Sequence, residues 1–419
     1  MGFSRTFSFM LFRVLIPLVV VGIQLILFRK TERWFKSKAP NARSLRLIVR
    51  SLFLVMNVGF LYVFFERPTH QSVVPWWIEV GMYPFYFWHS ACFFIGLFLL
   101  ISNVLRSPFK LGLWVAEKVN PTRDRIRQLK TTTKFQTFDA TRRTFMRRSM
   151  YGLTAASFGG TAYGMFLEKN ECEITSAEFP IARLPEGLDG FTMALVSDIH
   201  SSIFMSEEEM EKYARLVNDM NADLIVVPGD FVTSDYREVY PFVEAFHVLS
   251  APCGVYGVLG NHDFYAGPDR VAREVDAAGI KMLRNDKVVI EKNGSKFSLI
   301  GVDDVGFSNR APIKLEEAIG QAPQEMPQIL LCHRPYYLDE AADNNIDLVL
   351  SGHTHGGQIV LGKFGDVVIA PSSLVSRYVW GKYKERNTHM YVSRGIGTVG
   401  LPVRINCPPE ITKITLKRA

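Results

Sequence analysis

Two hydrophobic patterns divide the chain. Up to residue 167, apolar residues come in long runs: Phe7–Phe28, interrupted by Arg13 and Gln24; Leu47–Phe65, with Arg50 near its start; Phe85–Leu105; and a shorter, Gly- and Ala-rich Met150–Leu167. The first three match the roughly 20 residues that cross the hydrocarbon of a bilayer. The aromatic, proline-rich Pro75–Pro84 ahead of the third suits a membrane interface. From Phe179 onward, short apolar runs alternate with amphipathic ones, as in an α/β architecture. Strands are expected at Phe191–Val196, Asp223–Val227, Gly254–Leu259, Gln328–Leu331 and Leu348–Leu350, and helices at Glu207–Asn218 and Tyr240–Leu249. A strand-rich tail follows at Gln358–Leu361, Val367–Ile369, Tyr391–Val392 and Ile411–Leu416. The pattern predicts an all-α transmembrane anchor over residues 1–167, with about four helices, and an α/β domain over residues 168–419.

Charge sharpens this division. Residues 1–167 hold 23 Lys/Arg against 6 Asp/Glu, and residues 168–419 hold 25 against 35, so the formal charge of +7 hides a basic anchor and an acidic domain. Basic residues between apolar runs follow membrane topology, and nucleic acid is not expected as a partner. Arg29–Arg46 carries seven Lys/Arg and Arg106–Arg148 twelve, whereas Glu66–Pro84 carries only Arg67. The positive-inside rule places the two basic loops in the cytoplasm and the C-terminal domain outside it, on the extracytoplasmic side of the inner membrane. Thr141–Arg147, TRRTFMR, resembles a twin-arginine export motif, and that machinery moves folded proteins, so it is an expected partner. The alternative is a plain basic margin to a helix. Five cysteines without CxxC spacing argue against a cysteine metal site and are read as unpaired thiols.

The candidate chemistry lies at strand ends, where open α/β sheets place their sites. The strand at Phe191–Val196 runs into Asp198 and His200, and Asp223–Val227 into Asp230. Gly254–Leu259 runs into Asn261, His262 and Asp263, Gln328–Leu331 into His333, and Leu348–Leu350 into His353 and His355. Carboxylates, an amide oxygen and imidazoles without thiolates suit hard divalent metals. Seven ligands exceed what one ion takes while leaving room for substrate, so two metals sharing a carboxylate are expected. Coordination of this kind lowers the pKa of water from about 15.7 towards 7.

The succession SDIH, PGDF, GNHD, CHRP and SGHTHGG, in this order over residues 197–357, resembles the calcineurin-like metallophosphoesterase superfamily. RGIGT at Arg394–Thr398 and LPVRINCPPEI at Leu401–Ile411 are similar to its bacterial membrane-anchored branch. The resemblance implies a four-layer α/β/β/α sandwich and hydrolysis of a phosphodiester or pyrophosphate by in-line attack of a metal-bridging hydroxide. Carried over by position, Asp198, His200, Asp230 and His355 hold one metal. Asp230, Asn261, His333 and His353 hold the other, with Asp230 bridging. Two divalent ions are implied, manganese first, with iron, zinc or magnesium as alternatives. His262 stabilises or protonates the leaving oxygen, and Asp263 orients its ring.

A membrane-tethered domain meets lipid headgroups at high local concentration, so membrane lipids or lipid-linked phosphates are the expected substrates. Cleavage of UDP-2,3-diacylglucosamine in lipid A synthesis is a second reading, opposed by its cytoplasmic substrate. A membrane sensor or transport module with a regulatory phosphoesterase is a third. Arg334 and the Phe231–Tyr236 and Asp303–Arg310 loops are expected to contact substrate.

Overall fold

The computed structural model describes the backbone of residues 2–66, 76–118, 120–305, 314–320, 325–365, 367–374 and 376–419; the side chains of residues 2–13, 66, 76–79, 120 and 121 lie outside the description. The chain forms two compact units that divide between residues 163 and 164. The helical unit comprises α1 (Gly2–Lys38), α2 (Arg43–Glu66), α3 (Trp76–Ala116), α4 (Asn120–Thr131) and most of α5 (Thr133–Phe166). Among the described residues, three helical stretches are long and apolar enough to cross a membrane: Val14–Lys38, Arg43–Phe65 and Val80–Ala116. Side-chain bonds also tie this unit together, with the Arg50 guanidinium donating to both oxygens of Glu32 and the Trp88 indole N–H donating to Gln24.

The expected fourth span is the C-terminal half of α5, which is not among those three stretches. Within Met150–Leu167, Gly152, Thr154, Ser157, Gly159, Gly160, Thr161 and Gly164 dilute its apolarity. Pro84 does not separate an interfacial segment from the third span, because α3 continues through both Pro84 and Pro108. Arg13 and residues 67–75 of the interhelical loop lie outside the described side chains.

The second unit contains two six-stranded sheets. Its strands are β1 (Glu173–Ile181), β2 (Thr192–Leu195), β3 (Leu224–Val227), β4 (Val255–Gly257), β5 (Lys281–Met282), β6 (Asp286–Lys292), β7 (Ser295–Val302), β8 (Gln328–Cys332), β9 (Leu348–Ser351), β10 (Gly362–Phe364), β11 (Val367–Ile369), β12 (Gly381–Glu385), β13 (Thr388–Val392) and β14 (Glu410–Arg418). The first sheet runs β1-β14-β2-β3-β4-β5, and the second β12-β13-β9-β8-β7-β6. β2 to β5 pair in parallel, as do β7, β8, β9 and β13. β10 and β11 make a separate hairpin.

Alternation along the strands creates the layers. In β2 and β3, Met193, Leu195, Leu224 and Val226 face a core shared with Leu299, Leu331, Leu348 and Leu350 of the second sheet. Their neighbours Ala194, Ile225 and Val227 face α6 (Glu207–Asp219), α7 (Val239–Phe246) and α9 (Pro268–Ala277) through Met210, Val217, Phe242, Phe246 and Val275. Leu330 and Val349 meet Leu315 of α10 (Leu315–Ile319) and Leu338 of α11 (Leu338–Asp343) on the far side. Three apolar interfaces between four layers make the α/β/β/α sandwich. α6 starts where a capping box fixes it: the Ser206 hydroxyl accepts from the Glu209 N–H and the Glu209 carboxylate accepts from the Ser206 N–H.

Some sequence expectations shift. The domain's first strand starts at Glu173 rather than Phe179. Gln358–Leu361 is no strand: Ile359 makes an isolated bridge with Ile405, and the Leu361 N–H turns to Ile369 O instead. The β6–β7 hairpin turns on Asn293 and Gly294, both at positive φ, a pairing that favours the tight turns of β-hairpins.

Candidate metal centre

The strand ends of both sheets meet at one edge of the sandwich. β2 leads to Asp198 and His200, β3 to Asp230, β4 to α8 (Asn261–Ala266), β8 to His333 and β9 to His353 and His355. Asp198, His200, Asp230, His353 and His355 all adopt positive φ, between 50° and 76°. Non-glycine residues rarely do so, and clustering of such strain marks functional sites. Left-handed turns aim several side chains from adjacent loops at one point. Gly260 and Gly352 make room for this: a Cβ at Gly260 would lie 2.2 Å from Asp230 Oδ1, and one at Gly352 would lie 2.1 Å from Asp198 Oδ2.

The seven expected ligands converge. His200 Nε2 lies 3.1 Å from His355 Nε2 and 3.4 Å from Asp230 Oδ2, and His355 Nε2 lies 3.5 Å from Asp198 Oδ1. On the other side His333 Nε2 lies 3.1 Å from Asp230 Oδ2, 3.2 Å from Asn261 Oδ1 and 3.3 Å from His353 Nδ1. Asp198, His200 and His355 form one cluster with metal-holding geometry, Asp198, Asp230 and His333 a second, and His200, Asp230 and His262 a third. Asp230 belongs to two of them.

This donor set fits divalent cations. Asp198 and Asp230 are buried, and among the described residues neither pairs with a Lys or Arg. Ring nitrogens face each other at 3.1 and 3.3 Å, and a cation between them would take the lone pairs that neutral rings present there. His333 Nδ1 donates to the Pro228 carbonyl, so in the neutral ring Nε2 presents its lone pair to the cluster. Burial acts to raise Asp230, but His333, His262 and His200 outweigh it and hold its carboxyl well below the usual range. Burial raises Asp198. Burial opposes a proton on His333, yet Asp230 and Asp198 raise that ring to about 10. The proton marks where positive charge is wanted.

His262 and Asp263 differ from expectation in their partners. The His262 ring is only half-buried and lies 4.7 Å from His200. Its Nδ1 donates to the Thr233 carbonyl, and burial holds it at about 4. The neutral ring therefore offers Nε2 as an acceptor. Asp263 does not orient that ring; its carboxylate accepts from the backbone N–H groups of Asp230 (2.9 Å), Phe231 (2.9 Å), Val232 (3.2 Å) and Gly260 (2.8 Å). It holds the Asp230 turn.

Arg404 is a supporting residue not picked out from the sequence. Its guanidinium is fully buried and donates to the carbonyls of Arg394, Gly395, Gly397 and Cys407. The RGIGT loop it holds then donates from Ile396 to Ser197 O and from Gly397 to Asp198 O, flooring the Asp198–His200 turn. Invariably present main-chain carbonyls leave no sequence signal for this role.

Of the expected substrate contacts, Arg334 is buried with its Nε 2.8 Å from Asp304. Phe231 and Val232 are core residues. Residues 306–310 of the Asp303–Arg310 loop lie outside the described residues. The open edge of the site is instead formed by His262 and His353, with the rings of Tyr265 at 5.1 Å and Tyr336 at 5.6 Å respectively. All five cysteines are free.

Comparison with known proteins agrees with this geometry. The calcineurin-like phosphoesterase family pattern matches residues 191–357. The uncharacterized metallophosphoesterase YkuE of Bacillus subtilis is 33% identical over 284 residues, 66% of this chain and 97% of that protein. A transmembrane protein with metallophosphoesterase domain from Danio rerio is 31% identical, covering 61% of this chain and 60% of that protein. Phosphodiesterase YaeI of Escherichia coli is 27% identical, covering 66% of this chain and 98% of that protein. Among the described residues three helical stretches are long and apolar enough to cross a membrane, and the Danio rerio relative is named as a transmembrane protein. The chain belongs to the calcineurin-like metallophosphoesterases and is a metal-dependent phosphoester hydrolase.

Proposed function

We propose that the protein hydrolyses a phosphodiester or pyrophosphate bond of a membrane lipid or lipid-linked molecule, using two divalent ions, manganese first. The observation that carries this reading is the convergence of two carboxylates, an amide oxygen and four imidazoles at one sheet edge, with Asp230 central to it. Asp198, His200, Asp230 and His355 would hold one ion, and Asp230, Asn261, His333 and His353 the other. Ions bound there supply a nucleophile from water at neutral pH and offset charge on the phosphoryl oxygens.

The chain's own groups do the rest. Asp263 holds the Asp230 turn, and Thr233 holds His262 so that Nε2 points its lone pair away from the carbonyl. That ring is neutral at rest, so a proton taken up from solvent at Nε2 is the one it can give to the departing oxygen, and leaving-group protonation follows that uptake. The half-buried edge at His262 and His353 admits the phosphate. YaeI, named as a phosphodiesterase, favours a diester over a monoester. Apolar helices in the same chain favour a lipid substrate. The loop charges favour insertion in the inner membrane with the hydrolase outside the cytoplasm; the basic segment before Met150 would engage the twin-arginine machinery.

The full chain in nanodiscs, supplied with manganese, is expected to hydrolyse an aryl phosphodiester and a lipid phosphodiester. Asn261→Ala and His262→Ala should each lower kcat by about 100-fold or more. Loss in Asn261→Ala with stoichiometric metal loss, and loss in His262→Ala with metal retained, separates the two roles. Full turnover in His262→Ala would refute the proton role, and absence of turnover on every ester with two metals bound would refute the hydrolytic reading.

A further inference from the structure

Among the described residues, the exposed large apolar side chains of residues 168–419 concentrate in one place. Leu361, Phe364, Val367, Ile369 and Leu374 are 75%, 71%, 66%, 43% and 89% exposed. They sit on the β10–β11 hairpin and the turn that follows it. Directly opposed residues of an antiparallel hairpin share a face, so Phe364 lies beside Val367 and Gly362 beside Ile369, with Lys363 and Val368 on the reverse.

The reverse face is already packed. Val368 is buried with Val360, Ala370, Val379 and Cys407, and the Lys363 ammonium lies 5.3 Å from the Trp380 ring. A hairpin packed on one face ordinarily shows polar residues on the other. This one shows Phe, Val and Ile, and the fold makes no use of them. Contiguous exposed apolar surface of this kind marks a binding face.

We propose that the β10–β11 hairpin, with Leu374, docks into the surface of a lipid bilayer. The bilayer is the occupant the chain itself supplies, because three of its helical stretches are long and apolar enough to cross one, and tethering keeps the domain at high local concentration near it.

The hairpin's root touches the metal loop. A Cβ at Gly357, two residues after His355, would lie 2.4 Å from the Ala370 side chain and 2.9 Å from Ser372 Oγ, both just beyond β11. The Leu361 N–H donates to Ile369 O, closing the hairpin against that loop. Docking thus sets the depth of the metal centre relative to the headgroups. This consequence rests on the reading of the substrate as a lipid phosphate; the docking itself does not.

The test uses the full chain in vesicles of phosphatidylethanolamine and phosphatidylglycerol. A photo-crosslinking benzoylphenylalanine replaces Phe364 in one sample and the exposed Tyr240 in a control. Lipid adducts at 364 and none at 240 are expected. Adducts joining two copies of the chain, or equal labelling at both positions, would overturn docking. In a second arm, combined Phe364→Ser, Val367→Ser and Leu374→Ser should lower turnover of a bilayer-embedded lipid phosphodiester about tenfold and leave a soluble aryl diester unchanged. No change on the embedded substrate would overturn the inferred placement. Lipid adducts at 364 without hydrolysis of any lipid phosphate would uphold docking and remove the lipid-substrate reading.

Discussion

Asp263 and Arg404 are both buried, and among the described residues neither has a charged side-chain partner, yet each serves a different side of the metal centre in the opposite electrical sense. Asp263 gathers four backbone N–H groups and fixes the Asp230 turn. Arg404 gathers four carbonyls and fixes the loop beneath Asp198 and His200. A lone buried charge is costly unless it is fully hydrogen-bonded. Here peptide dipoles do the solvating, and the sign of the charge follows which end of the peptide the turn points inward. The candidate metal ligands are therefore positioned by main chain, and two side chains hold that main chain.

The comparison can be broken at its anionic end first. Asp263→Ala leaves four N–H groups without an acceptor, one of them that of Asp230 itself. We expect loss of about 100-fold in activity, at the upper end for a group that orients a metal ligand, with manganese content falling from two ions towards one. Metal analysis beside turnover checks this, and two retained ions would show that the Asp230 turn stands without it.

Arg404→Met tests the cationic end and is expected to cost about tenfold in activity. Its loop lies one layer behind the ligands, so a smaller effect follows. Arg404→Lys, with fewer donors, should recover only part of it. If the two braces serve separate ions, metal-site occupancy in the two variants should fall at different ligands, His355 for Arg404→Met and His333 for Asp263→Ala, resolved by the imidazole signals of the protein loaded with diamagnetic zinc in place of manganese. Identical patterns would show one cooperative site.

The smallest effect is a slope. His333 is raised to about 10, above its ordinary 6.5, so below pH 10 a metal entering beside it displaces a proton. Apparent metal affinity should climb by about tenfold at most for each pH unit between 6 and 9. In the metal-free protein the sign is opposite: the folded state binds this proton more tightly than the unfolded one, so its stabilisation is fully present below about pH 6.5 and is lost as pH rises towards 10. Calorimetry of both forms checks the pair of signs, and a flat affinity profile would show that Asp230 does not keep a proton on His333.

How much of this was legible depended on what kind of partner each residue has. The seven candidate ligands could be read as one converging set because each stands at the end of an apolar run and belongs to a short list of metal-binding types. Asp263 stood out with them, but its true partners lie at Asp230, Phe231 and Val232, some thirty positions away, and a backbone N–H has no residue type to read. Arg404 was hidden for the same reason, since its guanidinium donates mainly to main-chain carbonyls. Apolar run length found three of the four expected apolar helical stretches, whereas Pro84 looked like a break because neighbouring helices and capping, not the residue alone, decide whether a proline ends a helix. The Asn293–Gly294 turn was readable and went unread, since the weakly alternating β6 beside it carried little hydrophobic signal.

One strand has a consequence in time. β14 lies between β1 and β2 in the first sheet, pairing Glu410 with Glu173 and Thr412 with Leu195. Thr412 is made 217 positions after Leu195, an interval of roughly 10 to 45 s at ribosomal speeds of about 5–20 residues per second. Throughout that interval the edges of β1 and β2 are open, and the turn carrying Asp198 has no finished sheet behind it. The apolar helices are therefore made long before this sheet is whole, and the emergence of β14 is the event that closes it and backs the turn carrying Asp198.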